Sequence, residues 1–107
     1  MFRVLLVAKN RVFREAFKEN FTHHYPSVLT EEAADGDEAL QKVGGIPPDL
    51  IFMDIRLRGL NGLQLTQKIK RDFPNTHIAI LTGYDLPEFR QAALQYGPDR
   101  FFVKTSL

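Results

Sequence analysis

Three polar side chains each follow an apolar run of strand length, and their chemical types suit a phosphoryl group. Asp54, Thr82 and Lys104 come directly after runs of three or four apolar residues. A carboxylate, a hydroxyl and an ammonium group are the kinds of polar groups that a phosphoryl site needs. If the three strands are parallel, these groups meet at the carboxyl edge of one sheet.

The elements that must position these groups can be inferred from the hydrophobic pattern. The apolar runs, including a first one at Val4–Val7, are continuous, which is typical of strands covered on both faces of a parallel sheet. The run Val28–Glu32 carries more charge, which indicates an edge strand. Helical patterns follow Asn10, Asp35, Asn61 and Asp85.

The first predicted helix places four apolar residues on one face, which predicts one buried stripe. These residues are Phe13, Ala16, Phe17 and Phe21. The fourth helix is expected to run from Pro87 to Tyr96, and Gly97-Pro98 ends it. Its exposed positions are candidate contact residues for a partner protein: Phe89, Arg90, Gln91 and Gln95.

Strands and helices alternate along the whole sequence, which predicts an α/β fold with a five-stranded parallel sheet and helices on both faces. The chain has 107 residues and no linker or repeat, so we expect one domain spanning residues 1–107. It ends at Thr105-Ser106-Leu107, where the pattern predicts that a fifth helix would begin. We therefore expect the fifth helix to be absent, with apolar surface left exposed or covered by self-association.

Composition narrows the function classes. A formal net charge of +1 gives no reason to expect nucleic-acid or membrane binding. There are no cysteines, which excludes disulfides and thiolate metal sites. The first apolar run is too short to span a bilayer and lacks the layout of a signal peptide, so the expectation is a soluble, cytoplasmic domain.

Four short motifs occur together in a fixed order: Val4-Leu5-Leu6-Val7, Phe52-Met53-Asp54 followed by Asn61-Gly62, Ile80-Leu81-Thr82-Gly83, and Phe101-Phe102-Val103-Lys104. With them, nearly the whole chain resembles the CheY-like receiver domain of two-component response regulators. The resemblance implies a flavodoxin-like, doubly wound α/β fold with strand order 2-1-3-4-5.

The resemblance also implies a role for each residue of the site. Asp54 stands where the family accepts a phosphoryl group from a histidine kinase, and Thr82 stands at the hydroxyl position that hydrogen-bonds the phosphoryl oxygen. Lys104 matches the lysine that pairs with that group, and Phe101 the aromatic switch residue. The backbone carbonyl of Arg56 falls where the family ligates Mg²⁺.

The sequence departs from the family after the first strand, where two acidic residues are replaced by Ala8 and Lys9. Mg²⁺ requires oxygen ligands, and this pair supplies no carboxylate. At about 4 Å and an effective dielectric constant near 20, a lysine and a carboxylate attract by roughly 4 kcal/mol. We therefore hypothesise that Lys9 stands in for the cation and forms an ion pair or network with Asp54 and the neighbourhood of Lys104. The alternative is that Lys9 points into solvent on its flexible stem.

The first functional hypothesis is consequently a receiver-like interaction module that signals without a metal cofactor and is not an enzyme. The alternative is a working receiver that a histidine kinase phosphorylates on Asp54, with Thr82 and Lys104 stabilising the phosphoryl group. In either case the expected partners are a histidine kinase or phosphotransfer protein and a downstream output domain or protein. A third hypothesis, a nucleotide or cofactor binder, is disfavoured because the loop Ala8–Arg11 has no glycine to cradle phosphate.

Overall fold

The computed structural model describes residues 1–57, 59, 61–83, 91 and 95–103. The described residues form five strands, which are β1 (Arg3–Val7), β2 (Leu29–Ala33), β3 (Leu50–Asp54), β4 (His77–Thr82) and β5 (Arg100–Val103). They also form three helices, which are α1 (Arg11–His24), α2 (Gly36–Gly45) and α3 (Gly62–Asp72). The strands make one sheet in the order β2-β1-β3-β4-β5, and all neighbours are parallel. The predicted fold class and strand order are confirmed.

The three helices begin where the sequence predicts because a side-chain oxygen caps each of them. Asn10, Asp35 and Asn61 each accept a hydrogen bond of 2.9 Å from the backbone amide three residues later. At α3 the bond is reciprocated, since the Gln64 side chain accepts from the Asn61 amide at 3.2 Å. These caps fix the points at which the chain leaves the carboxyl ends of β1, β2 and β3.

The core lies between the sheet and the pair of helices α2 and α3. It contains Leu5, Val7, Ile51, Met53, Ile78 and Ile80 from the strands and Ala39, Val43, Leu65 and Ile69 from the helices. Burial of a large aliphatic side chain stabilises the fold by about 1.5–3 kcal/mol. The continuous apolar runs of the sequence therefore hold β1, β3 and β4 side by side and align their carboxyl ends.

Strand β2 is the edge strand that its charged sequence predicts. Glu31 forms an ion pair of 2.8 Å with Arg3. Glu32 forms ion pairs with Arg14 at 3.2 Å and with Lys18 at 3.6 Å. Basic side chains from β1 and α1 thus neutralise both carboxylates of the edge strand.

The prediction of one buried stripe on α1 is wrong, because no residue of this helix is buried. Phe17 and Phe21 pack edge-on against Phe52 of β3, with ring centroids 5.0 and 5.8 Å apart. The helix contacts β1 and β2, and its aromatic stripe lines a groove of about 640 Å³. We call this the aromatic groove; the rings that line it belong to Phe13, Phe17, Phe21, Tyr25, Phe52 and Phe102.

Several predictions fall outside the described residues. They include most of the predicted helix from Pro87 to Tyr96, the position of Lys104, and the chain end at Thr105–Leu107 where a fifth helix would begin. Within the described ranges, no helix is both long and apolar enough to cross a membrane.

Candidate functional site

Two of the predicted site residues meet at the carboxyl edge of the sheet. Asp54 is the last residue of β3 and pairs in register with Leu81, so that Thr82, the last residue of β4, lies one position further along the neighbouring strand. Both polar side chains are buried, with 7% of Asp54 and 3% of Thr82 exposed. Thr82 pairs in register with Val103 of β5, and Lys104, which follows Val103, lies outside the described residues.

The loop after β3 folds back closely around Asp54. The Arg56 amide donates a long hydrogen bond of 3.4 Å to Asp54 Oδ1. The Gly62 amide donates to the Ile55 carbonyl at 2.7 Å, and the Thr66 hydroxyl donates to the Gly62 carbonyl at 2.7 Å. The motif Asn61-Gly62 therefore caps α3 and at the same time brings the start of this helix against the backbone of β3.

The loop after β1 borders the same edge, because Val7 pairs in register with Met53. Ala8 is fully buried, and its amide donates to the Ala33 carbonyl at 3.1 Å. The Lys9 side chain is exposed and forms no ion pair with the residues that the structure describes. The predicted direct ion pair between Lys9 and Asp54 is wrong: a flexible, strongly hydrated ammonium group remains in solvent, and Asp54 is buried.

The residues present supply fewer oxygen ligands for Mg²⁺ than the resemblance implies. Mg²⁺ requires near-octahedral oxygen coordination, to which one or two carboxylates usually contribute. Here Ala8 offers only a buried methyl group and Lys9 an ammonium group, which leaves the carboxylate of Asp54 and the carbonyl of Arg56. In the part of the chain that the structure describes, no group of three or more His, Cys, Asp or Glu residues could hold a metal ion.

The aromatic residue assigned to the switch lies on the core side of β5. Phe101 is half-buried, pairs in register with Ile80 and packs against the core between the sheet and α2 and α3. Its role as a switch stays a prediction.

Sequence reasoning missed Arg14, which contacts the loop at the altered acidic positions. Its guanidinium donates to the carbonyls of Ala8 at 2.7 Å and Lys9 at 3.0 Å, and to Glu32 at 3.2 Å. One signal was available: the charged edge strand carries Glu32, and Arg14 lies in the first turns of the helix that must pack beside it. This signal indicates Arg14 as a partner for the Glu32 carboxylate.

A five-stranded parallel sheet of order 2-1-3-4-5 places this chain in the flavodoxin-like α/β class of CheY-like proteins. The sequence matches the family model described as the response regulator receiver domain over residues 4–106. The chain belongs to the family of response regulator receiver domains, which act in two-component signalling.

Curated relatives agree with this assignment. The chain is 33% identical over 105 residues to the oxygen regulatory protein NreC of Staphylococcus haemolyticus, covering 97% of this chain and 48% of NreC. It is 28% identical over 104 residues to the response regulator protein VraR of Staphylococcus saprophyticus, covering 97% of this chain and 50% of VraR. The chain spans about half the length of these relatives.

Solved structures give the same result. A LuxR-family two-component response regulator from Aurantimonas superposes with a TM-score of 0.88 at 27% identity, over 96% of this chain and 74% of that one. TrrA from Thermotoga maritima, solved in complex with Mg(2+)-BeF, superposes with a TM-score of 0.86 at 29% identity, over 97% and 87% of the two chains.

Proposed function

We propose that this receiver domain acts as a metal-independent protein interaction module in a two-component signalling chain. The observation that carries the proposal is the donor set at the carboxyl edge of the sheet. Ala8 is buried and Lys9 is exposed, so the loop after β1 contributes no carboxylate beside Asp54. Phosphoryl transfer depends on neutralising the charge that develops on the phosphoryl oxygens, and a divalent cation normally does much of this.

Because Lys9 lies in solvent, the proposal does not rest on an ammonium group that replaces the cation next to Asp54. It rests on the loss of oxygen ligands, since removing carboxylates weakens Mg²⁺ binding whether or not a positive charge takes their place.

A second candidate is a working phosphoacceptor, which is favoured by the buried positions of Asp54 and Thr82 at neighbouring strand ends. In that reaction a carboxylate oxygen of Asp54 forms the new bond to phosphorus. The P–N bond of the kinase phosphohistidine breaks, and the imidazole nitrogen takes up a proton. Thr82 would then hydrogen-bond a phosphoryl oxygen, and Lys104 would pair with the group.

Both candidates imply protein partners and a cytoplasmic location. A histidine kinase or phosphotransfer protein would lie upstream, and an output domain or protein downstream. We assign no nucleic-acid binding and no enzymatic activity to this domain. Gln91 and Gln95, on the exposed surface before β5, remain candidate contact residues; Phe89 and Arg90 lie outside the described residues.

The test is incubation with a small-molecule phosphodonor and Mg²⁺, followed by intact mass spectrometry. We expect no added phosphoryl group, while TrrA treated in the same way serves as the positive control. An adduct that appears in the unaltered protein and is abolished by Asp54→Ala would replace the first candidate with the second.

A further inference from the structure

The Arg14 side chain joins α1, the loop after β1 and the edge strand β2. We propose that Arg14 is the positioning residue of the β1–α1 loop, holding the backbone of Ala8 and Lys9 in place without a divalent cation. The inference rests on the proposed function, because it explains how the altered loop keeps its shape when the loop itself supplies no carboxylate to a metal ion.

The hydrogen bonds of Arg14 to the loop are short and charge-assisted. Nη1 donates to the carbonyl oxygens of two consecutive residues, at 2.7 Å for Ala8 and 3.0 Å for Lys9. Hydrogen bonds with one ionised partner are roughly twice as strong as neutral ones. The two backbone units at the altered acidic positions are therefore attached to a single side chain of α1.

The other side of the guanidinium is fixed by Glu32 on β2. Nε donates to Glu32 Oε1 at 3.2 Å, and Lys18 lies 3.6 Å from Oε2 of the same carboxylate. Lys42 of α2 also donates to the backbone carbonyl of Glu32. Only 14% of the Arg14 side chain is exposed, so solvent and salt screen this pair less than a surface pair.

Further hydrogen bonds attach both ends of the loop to β2 and α1. The Ala8 amide donates to Ala33 of β2, and the Asn10 carbonyl accepts from the Arg14 amide at 3.0 Å. The Asn10 side chain caps α1. Because a planar guanidinium presents several donors in a fixed arrangement, it can bind two carbonyls and a carboxylate at once, which a single ammonium group cannot do with the same geometry.

Arg11 provides a matched control on the same helix. It carries the same charge and pairs with Glu15 at 2.9 Å, but 80% of its side chain is exposed and it donates to no loop carbonyl. Arg14→Met and Arg11→Met therefore remove equal charge from α1, and only the first removes the contacts to Ala8 and Lys9.

The experiment is amide hydrogen exchange of the two variants in a metal-free buffer with a chelator. We expect Arg14→Met to accelerate exchange at the Ala8 and Phe13 amides, which donate to the Ala33 carbonyl and the Asn10 side chain, about tenfold or more beyond the change at core amides, because the charged hydrogen bonds that hold the loop are lost. Arg11→Met should leave the loop as in the unaltered protein. Arg14→Lys should give an intermediate rate, since an ammonium group restores part of the donor set.

Three results would overturn the inference. One is an equal acceleration at loop and core amides in Arg14→Met, which would mean a contribution to overall stability alone. Another is the same loop exchange in the Arg14 and Arg11 variants. The third is a loop in the unaltered protein that becomes protected only when Mg²⁺ is added. If Arg14→Met does not fold, loop exchange is measured in Glu32→Gln and Arg14→Lys instead. Loop exchange that is unchanged in both of these variants would also overturn the inference.

The first two outcomes are independent of the test of the proposed function, because they are measured in the metal-free buffer. Phosphorylation of Asp54 in the presence of Mg²⁺ would replace the functional proposal. It would not alter the comparison of loop and core exchange, which is made without metal.

Discussion

Gly62 begins α3 directly against the backbone carbonyl of Asp54. A Cβ atom at this position would lie 2.0 Å from the Asp54 oxygen and 2.8 Å from the Ile55 Cα atom. Both obstructing atoms belong to the backbone, so neither can move away by a change of rotamer. At the scale of single residues, the site therefore depends on the absence of a side chain at Gly62 as well as on the carboxylate of Asp54.

We predict that Gly62→Ala lowers the free energy of unfolding by about 1–3 kcal/mol or more, because the helix start must shift away from β3. Chemical denaturation monitored by circular dichroism measures this. Gly44→Ala is the matched control: a Cβ atom there meets nothing within 4 Å, and Ala in α2 should stabilise by about 0.5–1 kcal/mol. Equal effects of the two substitutions would contradict the role assigned to Gly62.

We predict that Lys9→Asp creates a response to Mg²⁺ that the unaltered protein lacks. The substitution places a second carboxylate at the edge that Asp54 occupies, and the exposed position tolerates it. NMR titration with millimolar Mg²⁺ should shift the Asp54 amide in this variant. Lys9→Met removes the same positive charge without adding an oxygen ligand, so a response in that variant would show that charge repulsion, not ligand loss, had suppressed binding.

At the scale of elements, Asp99 joins α3, β4 and the start of β5. Its carboxylate accepts from the Ile78 amide at 2.7 Å and from Lys70 at 3.2 Å, and its own amide donates to the Ile78 carbonyl at 2.8 Å. Burial alone would raise the pKa of this carboxyl group. The hydrogen bonds from Ile78 and Lys70 and the charges of Lys70 and His77 outweigh burial and lower the pKa below its ordinary value.

This shift predicts a pH dependence of stability with a definite sign. A lowered pKa in the folded protein means that the carboxylate stabilises the fold above the unfolded pKa of about 4, and this contribution is lost as the pH falls through the lower folded pKa. Asp99→Asn should therefore reduce stability at pH 7 and weaken its decline on acidification to pH 3. Urea denaturation at both pH values measures this effect.

Asp72→Asn is the control for this prediction, because Asp72 pairs with the neighbouring Arg71 on the exposed surface. Asp72→Asn should change neither the stability at pH 7 nor its decline on acidification to pH 3 by as much as Asp99→Asn does. A decline in Asp99→Asn as steep as in the unaltered protein would assign the acid sensitivity to other carboxylates.

At the scale of the whole molecule, the three described helices cover the two faces of the sheet unequally. Helices α2 and α3 pack on one face over a closed apolar core. On the opposite face α1 contacts β1 and β2, and the aromatic groove lies beside it, with Phe102 of β5 38% exposed. The groove is apolar surface in the part of the chain that the structure describes, and self-association stays a prediction.

We predict that the native protein enhances the fluorescence of a hydrophobic dye and that Phe102→Ser reduces this signal, because the ring borders the aromatic groove. Val12→Ser is the control, since Val12 is 75% exposed but does not line the groove. Sedimentation at several concentrations tests whether a second copy covers the surface. Equal dye signals in both variants would place the exposed apolar surface elsewhere.

Much of this architecture could be predicted from the sequence because the relevant signals are local. Continuous apolar runs identified β1, β3 and β4, and Asn10, Asp35 and Asn61 marked the helix starts through their own capping bonds. The charge of Glu31 and Glu32 identified the edge strand. The positions of Asp54 and Thr82 then followed from the strand ends of a parallel sheet.

The sequence by itself therefore determined the order of the elements, the fold class and which polar residues close adjacent strands. Only the tertiary structure decided that Lys9 remains in solvent, that Arg14 binds the carbonyls of Ala8 and Lys9, and that α1 is half-covered. The physical reason is that a long charged side chain has many rotamers, and it can either stay hydrated or bind a residue that is distant in the sequence. The outcome depends on the distances between packed elements, and a local sequence pattern does not specify these distances.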